Sequence, residues 1–233
     1  RLLNSPAFAA ADFSSLRRAI SGAAPCPWEL AVEWQEKTNT RIVRGYGMTE
    51  LFRPLSFRAD DPRDIPGAVG RPVPNVEIRL VADSGENPDG VGELWIKSPA
   101  MMEGYLDAPQ ESAEVISEGW FKTGDLATIS RDGYVEIVGR VRERILRGGY
   151  SVFPQEIEAV LVSHSAVAEA AVVGIPDADL GEQVAAFVSL KTGARTDAEE
   201  LLAYCKEHLA SYKYPRRVSI LSELPKGPTG KIA

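Results

Sequence analysis

The chain has 233 residues, with 26 basic and 33 acidic side chains for a net charge of −7, and apolar residues make up 44% of it. That length suits one large domain or two small ones with a real core. The acidic balance argues against a general nucleic-acid or anionic-membrane binder, and no apolar run approaches the roughly 18 residues of a membrane helix.

In chain order, the opening RLLNSPAFAA lacks the apolar centre of a secretory signal. Asp12 is suited to cap a short helix through SSLRRAI, ending near Ser21-Gly22. Pro27 can open a second helix, with Trp28, Leu30, Ala31 and Trp34 on its apolar face. Arg41-Ile42-Val43 reads as a short strand running into GYG. From about residue 65 to 139 the pattern becomes short strands. Val76, Ile78 and Leu80 alternate with polar neighbours, as do Leu94 and Ile96, and Asp89-Gly90 and Asp132-Gly133 are tight-turn signals. This predicts a small antiparallel, barrel-like β unit.

A third pattern follows. Pro154 and Glu156 open an amphipathic helix with Ile157, Val160 and Leu161 on one face. Ala170–Ile175 is a strand expected to stop at Pro176, and Gln183–Leu190 is another. Thr196 and Glu199 fit a capping box for a helix carrying Leu201, Leu202, Cys205 and Leu209, and Val218–Leu221 is a last strand. The boundary before this compact α+β domain is expected between Gly139 and Arg140.

The two cysteines, Cys26 and Cys205, form no CxxC pair, so a zinc cluster or disulfide scaffold is not expected and a reducing compartment is. His164 and His208 have no metal-ligand spacing. Four strings carry candidate chemistry. In Gly45-Tyr46-Gly47-Met48-Thr49-Glu50, glycines allow close backbone approach, and a hydroxyl beside a carboxylate suits a phosphate oxygen and its magnesium ion. In WFKTGD, Asp125 follows a glycine at an expected strand start, where it either accepts two hydrogen bonds from a ribose diol or caps its own turn. GRVRERI followed by RGGY sets four arginines in eight residues before a glycine turn, as a solvated face or a phosphate-contacting linker. LPKGPTGK is not a phosphate loop, because two residues separate Gly227 from Gly230 and Ile232 follows Lys231. A rigid turn presenting one lysine can still deliver a charge to a developing anion.

Taken together and in order, these strings resemble the adenylate-forming superfamily of acyl-CoA ligases, peptide-synthetase adenylation domains and luciferases. SGAAP, GYGMTE, GELWIKSPAMMEGY, GWFKTGDLA, GRVRERI, RGGYSVFPQEIE and PKGPTGKI carry the resemblance over essentially the whole chain. It implies an α+β organisation. Residues 1–139 would be the end of a large mixed α/β domain, with the β subdomain at about 65–139, and residues 140–233 a small lid domain. It implies a two-step reaction with ATP, a fatty or aromatic acid and coenzyme A, in which an acyl-adenylate becomes a thioester, in the cytoplasm and without nucleic acid.

The resemblance also implies roles. Ala24, Gly45 and Tyr46 line the adenine site, Thr49 holds the phosphate, and Glu50 binds Mg2+. Asp125 and Arg140 take the ribose, Arg142 is the hinge, and Gly148 and Gly149 line the coenzyme A approach. Lys231 stabilises the adenylation transition state. Arg44, Leu51 and Arg142 depart from the usual residues, and the first two are expected to alter the acyl pocket. The upstream Ser/Thr/Gly-rich loop that holds the β- and γ-phosphates of ATP has no counterpart here, so the expectation is a C-terminal fragment, inactive alone, of a ligase roughly twice as long. The alternative is a non-catalytic nucleotide- or partner-binding module.

Overall fold

Alternating apolar residues give strands one apolar face, and among the described residues the strands assemble into two sheets. The computed structural model describes residues 2–22, 26, 28–58, 61, 65–82, 85–86, 90–227 and 232. It divides into two compact units, Arg1–Ile137 and Val138–Ala233. The division falls two residues before the boundary expected from sequence.

The first unit contains β1 (Ala19–Ser21), α1 (Trp28–Thr38), β2 (Ile42–Met48), β3 (Phe52–Ser56), β4 (Ala68–Pro72), β5 (Glu77–Ala82), β6 (Gly85–Glu86) and β7 (Gly92–Lys97). It continues with α2 (Pro109–Val115), β8 (Ile116–Ser117), β9 (Trp120–Ile129) and β10 (Val135–Arg140), the last of which crosses the division. The strands pair in the order β1-β2-β3-β4-β10-β9-β7-β5-β6, with β8 on β9. β1 and β2 are parallel, and α1 supplies the crossover that a parallel pair requires. The alternation read from sequence sets the core. Leu80 of β5 faces Leu94 of β7, Ile78 faces Ile96, and Leu80, Leu94 and Ile96 are buried with Leu51, Leu55, Phe121 and Val135.

Several elements of this unit differ from the sequence reading. The helix expected after Asp12 does not form. Asp12 Oδ1 instead accepts Ser14 N–H at 2.8 Å in a local turn, and Phe13 packs against Phe8 and Trp34 at centroid distances of 4.8 and 5.9 Å. Ala19–Ser21 then joins the sheet beside Ile42–Arg44, so strand pairing overrides local helix preference. β2 is longer than expected and runs through GYG to Met48. α2 was not expected; its seven residues bury no side chain and leave no periodic signature. The Asp132-Gly133 turn is present, with Gly133 at φ +80°. Asp89 lies outside the described residues.

The second unit contains β11 (Ile145–Arg147), β12 (Tyr150–Val152), α3 (Pro154–Ser163), β13 (Val167–Asp177), β14 (Gly181–Leu190), α4 (Ala198–His208) and β15 (Arg217–Leu221). The sheet order is β12-β11-β14-β13, with β15 parallel to β14. Ile145, Val152, Ile157, Leu161, Val172, Val184, Leu201 and Cys205 form one buried cluster. β13 does not stop at Pro176, which pairs with Glu182. β13 is the outer strand in that order, where proline's missing N–H costs no ladder bond. The cap of α4 is Asp197 rather than Thr196. Asp197 Oδ1 accepts Glu200 N–H at 2.9 Å, and the Thr196 hydroxyl donates to the Glu200 carboxylate at 2.7 Å.

Candidate active site

The GYGMTE string builds one edge of the site through steric necessity. A Cβ on Gly47 would lie 2.0 Å from the Phe52 carbonyl oxygen, so only glycine lets β2 turn back this tightly into β3. Leu51, fully buried, pins the turn to the core, while Thr49 is exposed and Glu50 half-buried. A Cβ on Gly45 would lie 2.4 Å from Arg53 Nε, so this glycine makes room for a guanidinium laid across it.

Asp125 lies in the middle of β9, not at a strand start. Glu93 pairs with Leu126 and Trp95 with Lys122, so Thr123, Gly124 and Asp125 together face the single residue Leu94. Such a bulge re-aims a side chain. Gly124 takes φ +71° to make it. The Thr123 hydroxyl donates to the Leu94 carbonyl at 2.7 Å and accepts Asp125 N–H at 3.1 Å. Gly124 N–H donates to Glu93 Oε1 at 3.0 Å, and Trp95 Nε1–H donates to Glu93 Oε2 at 2.8 Å. The outcome is a carboxylate 8% exposed that accepts the Tyr46 hydroxyl at 2.5 Å.

Glu50 is tethered at both ends. Its carbonyl accepts Met102 N–H at 2.8 Å, and its Oε1 accepts the Tyr105 hydroxyl at 3.0 Å. Burial, then the hydrogen bond and charge of Glu50, push the Tyr105 phenol above its ordinary pKa. Among the described residues no group of three or more Asp, Glu, His or Cys side chains gathers to hold a metal. A half-buried carboxylate beside an exposed hydroxyl fits a magnesium ion, which keeps several waters and takes one or two carboxylates together with substrate phosphates.

The first unit thus brings Tyr46 and Asp125 into contact and places Thr49 and Glu50 at the end of the same strand. Glu93, Thr123 and Tyr105 hold these groups in place, yet sequence reasoning gave them no role. Their signal was present in the GEL, KTGD and EGY strings, but only the cross-strand register shows what they touch. Arg44 and Leu51, the two departures expected to alter the acyl pocket, are both buried. Arg44 is 5% exposed, donates to the Ile65 carbonyl at 2.7 Å and lies over the Phe57 and Trp28 rings. It is therefore a core residue of this unit, and Leu51 likewise belongs to the core.

In the second unit, Arg140 is exposed at the end of β10, and Arg142 is exposed in a short 3-10 turn, Val141–Glu143. Gly148 and Gly149, at φ +56° and +83°, form the two-residue turn between the paired residues Arg147 and Tyr150. Only residues tolerant of positive φ fit both places. Ala24 and Lys231 lie outside the described residues. Of the LPKGPTGK string, Leu224 is buried and Lys226 pairs with Glu169 at 2.7 Å.

Two family models match the chain: "AMP-binding enzyme" over residues 1–106 and "AMP-binding enzyme C-terminal domain" over residues 156–231. The chain belongs to the AMP-binding, adenylate-forming enzymes. Among its relatives is the long-chain-fatty-acid–CoA ligase of Yersinia pestis, 39% identical over 99% of this chain and 41% of the relative. An amide bond synthetase from Marinactinospora thermotolerans has a similar structure, with a TM-score of 0.89 and 39% identity over 98% of this chain and 47% of that one. So does the O-succinylbenzoate coenzyme A synthetase of Bacillus subtilis, in complex with ATP and a magnesium ion, with a TM-score of 0.84 and 32% identity over 93% of this chain and 45% of that one. The chain therefore spans about two fifths of the length of the curated relative and somewhat under half of the two solved structures.

Proposed function

We propose that this chain carries much of the nucleotide site and the lid of an ATP-dependent acid–thiol ligase. The observation that carries this reading is the Tyr46–Asp125 hydrogen bond, 2.5 Å long. It joins the GYGMTE strand to the KTGD bulge and aligns a ring and a carboxylate. In the proposed complex the Tyr46 ring stacks on adenine along the Gly45 backbone, with Ala24 nearby. Asp125 accepts the ribose hydroxyls, with Arg140 reaching the same sugar, and the Thr49 hydroxyl donates to the α-phosphate. Glu50 holds a magnesium ion, which when bound supplies positive charge at phosphate oxygens.

In the first step a carboxylate oxygen of the acid attacks the α-phosphorus. The bond to pyrophosphate breaks, and the Lys231 ammonium stabilises the charge that builds on oxygen. In the second step the coenzyme A thiol, having lost its proton, attacks the acyl carbonyl and AMP leaves. Between the steps the lid turns about Arg142. The Gly148–Gly149 turn offers backbone without side chains to the thiol arm. The acid is read as fatty or aromatic with one carboxylate, a reading supported by Arg44 being buried and donating to the Ile65 carbonyl. No nucleic acid takes part. No helix among the described residues is long and apolar enough to cross a membrane, and a cytoplasmic setting is proposed with the rest.

The test uses the full natural chain with ATP, magnesium and a panel of fatty and aromatic acids. Acid-dependent exchange of labelled pyrophosphate into ATP, followed by a coenzyme A thioester detected by mass, is the expected result. Likeness to an amide bond synthetase supplies a second reading with an amine as the acceptor, and an amide product in place of the thioester would select it. Nucleotide binding without exchange on any acid would leave the non-catalytic binding module and refute the ligase.

A further inference from the structure

We propose that Tyr105 is a positioning residue that holds the Glu50 carboxylate ready for the cation accompanying the nucleotide; this rests on the role given to Glu50 above. A glutamate at the end of a turn can rotate about three side-chain bonds, and fixing it as the ligand arrives costs entropy. Here the loop after β7 fixes it beforehand through the two bonds already described, to the Glu50 carbonyl and to Oε1. Tyr105 stands 55 residues away along the chain, so the pairing is tertiary and not a by-product of local turn geometry. With Oε1 engaged by the Tyr105 hydroxyl, Glu50 offers its other oxygen.

The loop that presents Tyr105 is itself braced. Ala100 N–H donates to Ser98 Oγ at 3.1 Å. Tyr105 N–H donates to Ser112 Oγ at 2.8 Å, and the Ser112 hydroxyl donates to the Ala108 carbonyl at 2.7 Å. A Cβ on Gly104 would lie 3.0 Å from Ser112 Oγ, so the glycine before Tyr105 lets the loop close onto α2. The EGY string thus becomes a strut from α2 to Glu50. Partners that orient a ligand side chain commonly set metal affinity without touching the metal.

The experiment is calorimetric. ATP binding to the full natural chain is measured with magnesium and again in EDTA, and the ratio of the two affinities is the metal's contribution. Tyr105→Phe is expected to lower that ratio by about tenfold, the lower end for loss of an orienting partner, with affinity in EDTA unchanged. Glu50→Gln is expected to lower it further, and adding Tyr105→Phe to Glu50→Gln to change nothing more. Ser112→Ala, which loosens the strut without touching Glu50, is expected to shift the ratio the same way by less. An unchanged ratio in Tyr105→Phe, while Glu50→Gln lowers it, overturns the positioning role and leaves the nucleotide site standing. An equal loss from Tyr105→Phe with and without Glu50→Gln overturns it too. A ratio unmoved by Glu50→Gln removes the metal role of Glu50 itself.

Discussion

Removing one oxygen atom tests the centre of the site. Tyr46→Phe keeps the ring and deletes the hydroxyl that donates to Asp125 Oδ2 at 2.5 Å. The acceptor is a carboxylate only 8% exposed, so bulk water replaces the lost donor poorly, whereas Tyr46 itself is only half-buried. A hydrogen bond to a charged group contributes about 1.5–3 kcal/mol, and partial access to water puts this one at the low end, near 1.5 kcal/mol. For a unit of this size that corresponds to a fall in melting temperature of about 3–8 °C. Differential scanning calorimetry of wild type, Tyr46→Phe, Asp125→Ala and the double variant forms a closed cycle. In the Asp125→Ala background, Tyr46→Phe is expected to cost less than about 0.5 kcal/mol, because its acceptor is gone. AMP affinity, measured on the same four proteins, is expected to fall in Tyr46→Phe and to fall no further in the double variant than in Asp125→Ala. Equal costs of Tyr46→Phe in both backgrounds would refute the coupling and, with it, the reading of Tyr46 and Asp125 as one unit.

Three further outcomes are expected. Burial, reinforced by the nearby Glu143 charge and opposed by the Val172 N–H at 2.9 Å, raises the Glu158 carboxyl above the ordinary glutamate value. Its proton is held more tightly in the folded state, so the stability it allows is full at low pH and is lost as pH rises from the unfolded value through the native one. Glu158→Gln should therefore gain on wild type across that interval and hold a constant difference above it; a gap that narrows with rising pH would reverse the sign. Burial pushes the Cys205 thiol up to about 11, so Cys205 should resist thiol reagents at neutral pH until the chain is unfolded, and rapid native labelling there would contradict its place in the core. In the full natural chain, Lys231→Ala should cripple adenylation yet spare thioester formation from a supplied acyl-adenylate; equal loss of both half-reactions would remove the role given to Lys231.

Much of this protein is legible along the chain. Alternation at Ile78/Leu80 and Leu94/Ile96 marks the sheet core, Pro154 with Glu156 marks the start of α3, and paired glycines mark the turn at 148–149, because each signal acts within a few residues. Local rules failed where distant chain competed. Ala19–Ser21 left its helical reading for a place beside β2, and Pro176 stayed in β13 because that strand has an open edge. The motif strings named Tyr46, Thr49, Glu50 and Asp125 by order and residue type alone. That Tyr46 reaches Asp125, that Glu93 and Thr123 shape the bulge, that Tyr105 grips Glu50 and that Arg44 is sealed in the core were decided by tertiary structure. Each of these contacts depends on cross-strand register or loop closure over tens of residues, and a one-residue slip in register turns a side chain to the opposite face.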